Sequence, residues 1–537
     1  MLRRLFLVFI LISTLAVAGC KISGTITTKE GAAVAGVNVY LKGEGEEGIG
    51  SIEAITLADG TYTFEGFHHG TLTITPDPDN EEYDFVPPEE TVTVNLFANA
   101  FVNFMAEKRP TEKDPDPSEV SDVPWSTFQG NASHTGFVPV NLNPLEFEHI
   151  WTWPHPTAEP ALIDPAAVGD EPVPINPVAA GDGIVFVTTA GYDGPNVALA
   201  LNSNTGVEIW TYDFDKDNPT DPKYYIGPPA YFDGTVYIQS NNHDKDSFIW
   251  AFDVEWNSLI FKTPYRAQWY RYFAPTIYDE NVYVAGGYYG GAYGIDGITG
   301  DQLWFADLNQ YDQWTPAVNE THVLAYTGEY DPQLTVIHRL DGTDSDGTEF
   351  YAGDVDFIIP DEGFKWNGWS MDLAPVMGSL NNVIVIQDSR LISFDLGAKK
   401  IGWQIPGGEE VDDADEEEKG GRHFSGQPSL ADGFIYAIYK GYLHARNESD
   451  GAFEWEWQPP PGESIVRPML VTDNLIFVST ESTTYAIDLE TRAEVWRYDA
   501  GGHLALGNDG ILFIATAEGE LHAITTVDPS IDAALLQ

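Results

Sequence analysis

Trp269, Trp314, Trp366 and Trp369, with Tyr225, His423, Arg467 and His503, each stand a short distance ahead of a strand-like apolar run or within its first residues. Aromatic faces gathered at one mouth hold sugars, peptides or partner loops by burying apolar area against them. The competing reading is that several of these side chains simply plug that mouth. Covalent chemistry is poorly provided for. Cys20 is the one cysteine in 537 residues, so the chain forms no intramolecular disulfide and lacks the Cys-x-x-Cys-His of attached haem. No His-Glu-x-x-His, phosphate loop or Ser-His-Asp set is present. Asp213, Asp215 and Asp217 have calcium-loop spacing but lack the glycine and glutamate that complete such a loop. Asp341, Asp344 and Asp346 are a similar case, and both runs read as turns; the adjacent His68 and His69 read as polar loop residues. No catalytic residue and no metal ligand is assigned.

The elements that position the aromatic set recur along the chain. Prolines at 177, 229, 275, 316, 375, 428 and 468 open short strands. A turn follows each, as in Asp182-Gly183, Asp233-Gly234 and Asp432-Gly433, where positive φ suits a tight hairpin. An apolar strand comes next, then a strand ending in Asp or Asn before Thr-Gly, then a strand that closes on Trp210, Trp304, Trp403, Trp455 or Trp496. Phe261 fills the closing position in the second copy and Phe350 in the fourth. An eighth start, Ala505–Gly510, has no closing strand after it. Glu148–Trp153 reads like Val207–Tyr212, so the segment around Trp151 is expected to complete the last copy. A period of about 40 to 50 residues built only of strands and turns predicts a β-propeller. The chain is therefore expected to be all-β, with an eight-bladed propeller over residues 125–527 and a tail over 528–537. The closing tryptophans, Trp151 included, are structural in this reading, because each fills the wide outer gap between wedges.

This repeat, with the opening phrase Trp125-Ser126-Thr127-Phe128-Gln129-Gly130-Asn131-Ala132-Ser133-His134-Thr135-Gly136, resembles the pyrroloquinoline-quinone (PQQ)-type propeller family. The resemblance covers roughly residues 125 to 527. It implies one of two roles. Some members are dehydrogenases holding the quinone, with calcium, on the propeller axis. Others bind no quinone, among them the propeller lipoprotein of outer-membrane β-barrel assembly. The missing cysteine pair and the lack of a recognisable calcium set favour the second kind, so no cofactor is expected, with PQQ and calcium as the alternative.

Residues 1–19 look like a signal peptide, with Arg3 and Arg4 ahead of an apolar run too short to span a bilayer comfortably. Val17-Ala18-Gly19-Cys20 resembles a bacterial lipobox, which makes Cys20 the lipidated residue and the membrane a partner through that anchor. Lys21 after it favours the outer membrane. Residues 20–106 alternate with period two between turns, as a small antiparallel β-sandwich does. Gly24-Thr25-Ile26, Gly36-Val37-Asn38-Val39 and Asp59-Gly60-Thr61-Tyr62 resemble the carboxypeptidase-regulatory-like domain, which has a transthyretin-like fold. Residues 107–124 are charged and proline-rich and read as a linker. The net charge of −57, from 26 basic and 83 acidic residues, excludes nucleic acid as a partner, since phosphate contacts need a basic face. The expected function is a non-enzymatic envelope lipoprotein whose propeller binds protein. The alternatives are a glycan- or peptide-binding surface protein and a periplasmic quinoprotein oxidoreductase.

Overall fold

The computed structural model describes residues 20–29, 31–43, 52–67, 70–78, 80, 83–94, 99–108, 121, 123–153, 173–190, 196–216, 225–241, 247–267, 274–309, 314–328, 331–344, 347–363, 374–406 and 423–527. Strands dominate, and the helical content among these residues is two short 3-10 turns, Pro144–Glu146 and Phe214–Lys216. The chain divides into two units, Met1–Pro115 and Asp116–Gln537.

In the first unit, Cys20–Thr28, Thr61–Phe67, Phe104–Lys108 and Tyr83–Val86 form one sheet, with Asn99–Phe101 beside the first of them. Ile52–Ile55, Asn38–Gly43, Gly70–Pro76 and Glu90–Val94 form another. The alternating residues Ile22, Ile26, Val39, Leu41, Phe64, Leu72 and Ile74 share one buried core. Tyr62 keeps its hydroxyl paired inside that core by donating to the Val102 carbonyl at 2.7 Å. The alternation suggested antiparallel pairing throughout. Instead Ile26 pairs with Phe104, and Ser23 with Phe101, in parallel, because the last strands return beside the first in its own direction.

Among its described residues the second unit contains eight four-stranded antiparallel sheets, hereafter blades. Blades 1 to 7 are continuous in sequence. Blade 8 joins Gly502–Leu506, Ile511–Thr516 and Leu521–Thr525 to the distant Glu148–Trp153, with Trp151 opposite Ala523. Each blade touches the next, and blade 8 touches blade 1. There Asn508 Oδ1 accepts from the Asp182 amide at 2.8 Å and Asn508 Nδ2 donates back to Asp182 Oδ1 at 3.1 Å. Closure of this kind leaves no open sheet edge around the ring.

One lock recurs at the outer edge. The fourth strand of every blade carries a bulge, and the residue after the extra one is the closing aromatic. In six blades that ring lies over the left-handed turn residue of the following blade. Trp304 packs on Gly353, Trp403 on Gly451, Phe261 on Gly300, and Trp151 on Gly206. In two more the left-handed turn residue is itself a cation over the ring: Arg492 over Trp455 and Lys399 over Phe357. Register places Phe357, opposite Val336, in the closing position of blade 4. Phe350, the residue expected there, instead belongs to an inserted hairpin, Gly342–Thr343 with Glu349–Phe350. The insertion displaced the count by seven residues from the true position.

Candidate functional site

The lead-in segment, Trp125–Gly136, runs along the inner wall of the ring. Its carbonyls accept from innermost-strand amides of blade after blade: Trp125 from Ala180, Ser126 from Tyr231, Ala132 from Val318, Ser133 from Met377, Thr135 from Leu430 and Gly136 from Val471. Thr127 Oγ1 adds blade 3 by donating to the Pro275 carbonyl at 2.7 Å. His134 is fully buried, its Nδ1 2.7 Å from the Phe128 carbonyl and its Nε2 3.0 Å from that of Pro316. Burial holds its imidazole below the ordinary range. Gln129 Nε2 reaches Ser429 Oγ at 3.0 Å. One stretch of chain thus stitches seven blades together from inside. Among the described residues, the polar side chains bonded along it are those of Ser126, Thr127, Gln129, Asn131, His134, Thr135, Thr276, Thr315 and Ser429. None of these is a carboxylate, the side chain that calcium sites favour.

The residues expected at the mouth divide. Trp314 is 1% exposed and packs in the core shared by blades 2 to 5, so it is a wall residue and the expectation of an accessible contact is corrected. Tyr225 is half-buried as the first residue of Tyr225–Phe232. His423 is half-buried with its ring 5.4 Å from that of Tyr439. Arg467 and His503 lie close enough to interact, and burial, with a smaller contribution from the arginine charge, pushes His503 down to about 3. Trp269, Trp366 and Trp369 lie outside the described residues, as do His68 and His69. Of the blade tryptophans, Trp151, Trp210, Trp304 and Trp455 are buried and Trp403 and Trp496 half-buried. Asp215 accepts from the backbone and side-chain amides of Asn196 and lies in the 3-10 turn Phe214–Lys216, while Asp217 lies outside the described residues.

An aromatic cleft that the repeat pattern did not disclose lies where blade 2 meets blade 3. Its volume is about 770 Å³, and Tyr265, Arg266, Tyr288, Tyr289, Tyr293 and Phe305 are among its walls. Tyr288 and Tyr289 are 52% and 65% exposed. Gly287 (φ +92°) and Gly290 (φ +115°) flank them, and the left-handed backbone at both lets the turn lift two adjacent tyrosines outward. The one sequence signal was this glycine-tyrosine-rich turn, which falls inside a blade rather than ahead of one.

A second group was also missed. His322, His338 and Asp356, on the three outer strands of blade 4, each offer a ligand atom within 4.8 Å of the others. His322 sits directly opposite His338, and Asp356 is the bulge residue. Burial lowers the His322 pKa against the opposing pull of Asp356. Spacing in sequence gives no hint of this set. The only available signal was a break in the repeat, where His338 replaces the Asp or Asn that ends the third strand in most blades.

The family-model match falls within the propeller. Residues 271–498 match the family model described as outer membrane protein assembly factor BamB. Among solved structures, a europium-containing methanol dehydrogenase aligns with TM-score 0.50 at 11% identity, over 75% of this chain and 98% of its own. BamB from Moraxella catarrhalis aligns with TM-score 0.43 at 13% identity, over 65% of this chain and 95% of its own. The computationally designed Ika8 protein gives TM-score 0.45 at 12% identity, over 66% and 96%. No curated protein matches the sequence. At these identities the structures speak to the fold alone. Over residues 271–498 the propeller resembles the PQQ-like kind.

Proposed function

Taking a PQQ-like propeller as premise, we propose that this chain is a cell-envelope lipoprotein, anchored through Cys20, whose propeller is a protein-binding scaffold serving outer-membrane protein assembly. The observation that carries the reading is the stitched inner wall. A propeller whose axis is lined by its own lead-in segment has its outward surfaces to offer, and outward surfaces recognise macromolecules better than they enclose small substrates. The match of residues 271–498 to an assembly-factor family supports the same reading. The acidic composition directs it toward protein rather than nucleic acid.

The test is retrieval of the full chain from native membranes, with identification of what is retained. Recovery of an outer-membrane β-barrel assembly protein at stoichiometric level supports the role. Calorimetric titration with PQQ and calcium provides the counter-test, because stoichiometric binding would move the chain to the oxidoreductases.

The tyrosine cleft supports a second reading, a carbohydrate- or peptide-binding surface. Exposed tyrosines set edge to face, with a neighbouring arginine, form a surface onto which a sugar ring or peptide bond packs. Glycan-array binding that is lost in Tyr289→Ala, without any retained membrane protein, would favour it over the scaffold.

A further inference from the structure

The eight blades can be read against one another, and blade 4 departs from the others at three positions that meet in space. The residue that begins the second strand is Ile184, Thr235, Asn281, Asn382, Phe434, Leu475 or Ile511 elsewhere, and His322 here. Its partner at the end of the third strand is Asn202, Asp253, Asp296, Asp395, Asn447, Asp488 or Thr525 elsewhere, and His338 here. The bulge residue is apolar in five blades, Gly402 and Glu454 in two more, and Asp356 here. In the regular blades that Asp or Asn is busy, as Asp296 Oδ1 shows by accepting from the amides of Ile298 and Thr299 and folding the tight turn. Histidine cannot fold that turn. The longer loop with its hairpin replaces it and brings Phe350 flat against His338, 3.7 Å between ring centres.

We propose that His322, His338 and Asp356 form a binding site for a divalent transition metal, zinc by ligand chemistry, on the outer strands of blade 4. Two imidazoles and one carboxylate are a familiar zinc donor set, with a fourth position left for water. The hydrogen bonds around His322 set the tautomer that ligation needs. Thr321 Oγ1 donates to Asn319 Oδ1 at 3.3 Å, which commits the hydroxyl proton. The Thr321 oxygen then accepts from His322 Nδ1–H at 2.8 Å, leaving the lone pair on Nε2. That Nε2 is buried and has no hydrogen-bond partner among the described residues, although Asp356 Oδ2 lies 3.2 Å away, out of line. Lys399 takes the other carboxylate oxygen, Oδ1, at 3.6 Å, which leaves Oδ2 turned toward the imidazoles. Phe350 fixes the plane of His338. Small side-chain rotations bring ligand atoms within 4.8 Å of one another onto a common ion at about 2.0–2.1 Å.

The experiment is zinc titration of the purified full chain by calorimetry, with cobalt absorption as a report of coordination geometry. One equivalent is expected to bind, and cobalt is expected to give the intense visible bands of a four-coordinate site. His338→Asn restores the residue that blades 1 and 6 carry and is expected to fold. It should weaken zinc binding at least about 100-fold, as should His322→Asn, which restores the residue of blades 3 and 5. Unfolding curves of both variants in metal-free buffer check that folding is intact. Absence of a stoichiometric site overturns the proposal. So does equal binding by wild type and His338→Asn, which would assign the ion to the acidic surface.

Discussion

At the outer edge of the ring six blades meet the next through a closing aromatic ring, as Trp304 on Gly353 or Trp403 on Gly451. At the inner wall one continuous stretch, Trp125 to Gly136, hydrogen-bonds to seven blades in turn. The first arrangement is repeated and pairwise; the second occurs once and is shared. The repeat can therefore diverge at its outer edge one blade at a time, as blade 4 does, with only the next blade affected. Change at the inner wall reaches many blades together.

The largest expected effect comes from the pairwise side. Trp304→Ala removes a nearly buried indole and leaves a cavity against Gly353, costing about 3–5 kcal/mol in equilibrium unfolding. His134→Ala should cost somewhat less, about 2–3 kcal/mol, through lost contacts to the Phe128 and Pro316 carbonyls. Its spatial reach should nonetheless be wider. Hydrogen exchange is expected to rise on the innermost strands of several blades in His134→Ala, and on blades 3 and 4 alone in Trp304→Ala. Equal footprints for the two variants would break the comparison. Next comes Gly300→Ala, about 1–3 kcal/mol, because φ is +78° and an added Cβ would meet the Phe261 ring at 2.6 Å.

The smallest effect is a pH dependence at the innermost strand of blade 8. The folded pKa of His503, about 3, lies below its ordinary 6.5. The unfolded chain therefore takes up the proton first as pH falls. The contribution of this neutral imidazole is fully present above 6.5 and is lost progressively toward 3. Wild type should lose stability relative to His503→Gln between pH 7.5 and pH 5, read as the difference in urea midpoint. A difference that does not change with pH would place His503 in solvent rather than in the wall.

Much of the ring was legible because its signals are local. Asp-Gly and Asn turns, apolar strands and a closing Trp each lie within a few residues, and Trp151 betrayed the missing strand by resembling Trp210. The closing residue of blade 4 was misread as Phe350 because the inserted hairpin broke the spacing; only strand register identifies Phe357. Trp314 was misread because exposure follows from what packs over a side chain, and its cover comes from several blades. The inner stitching was invisible for a related reason. Most of its bonds run between backbone groups, whose pairing leaves no mark on side-chain type. The His322, His338 and Asp356 group falls between these cases, since its members mean little singly and stand out only when blades are aligned strand by strand.

The inner segment also imposes an order on synthesis. It leaves the ribosome before every blade it joins, and Thr152, just behind it, meets His522 across 370 positions. Until the strand Leu521–Thr525 has been made, Glu148–Trp153 has no partner and the last blade cannot form. A chain with contacts so distant folds slowly, and for most of its making it carries an unpaired sheet edge able to join another molecule. Such an intermediate needs protection from its own kind for as long as the ring stands open.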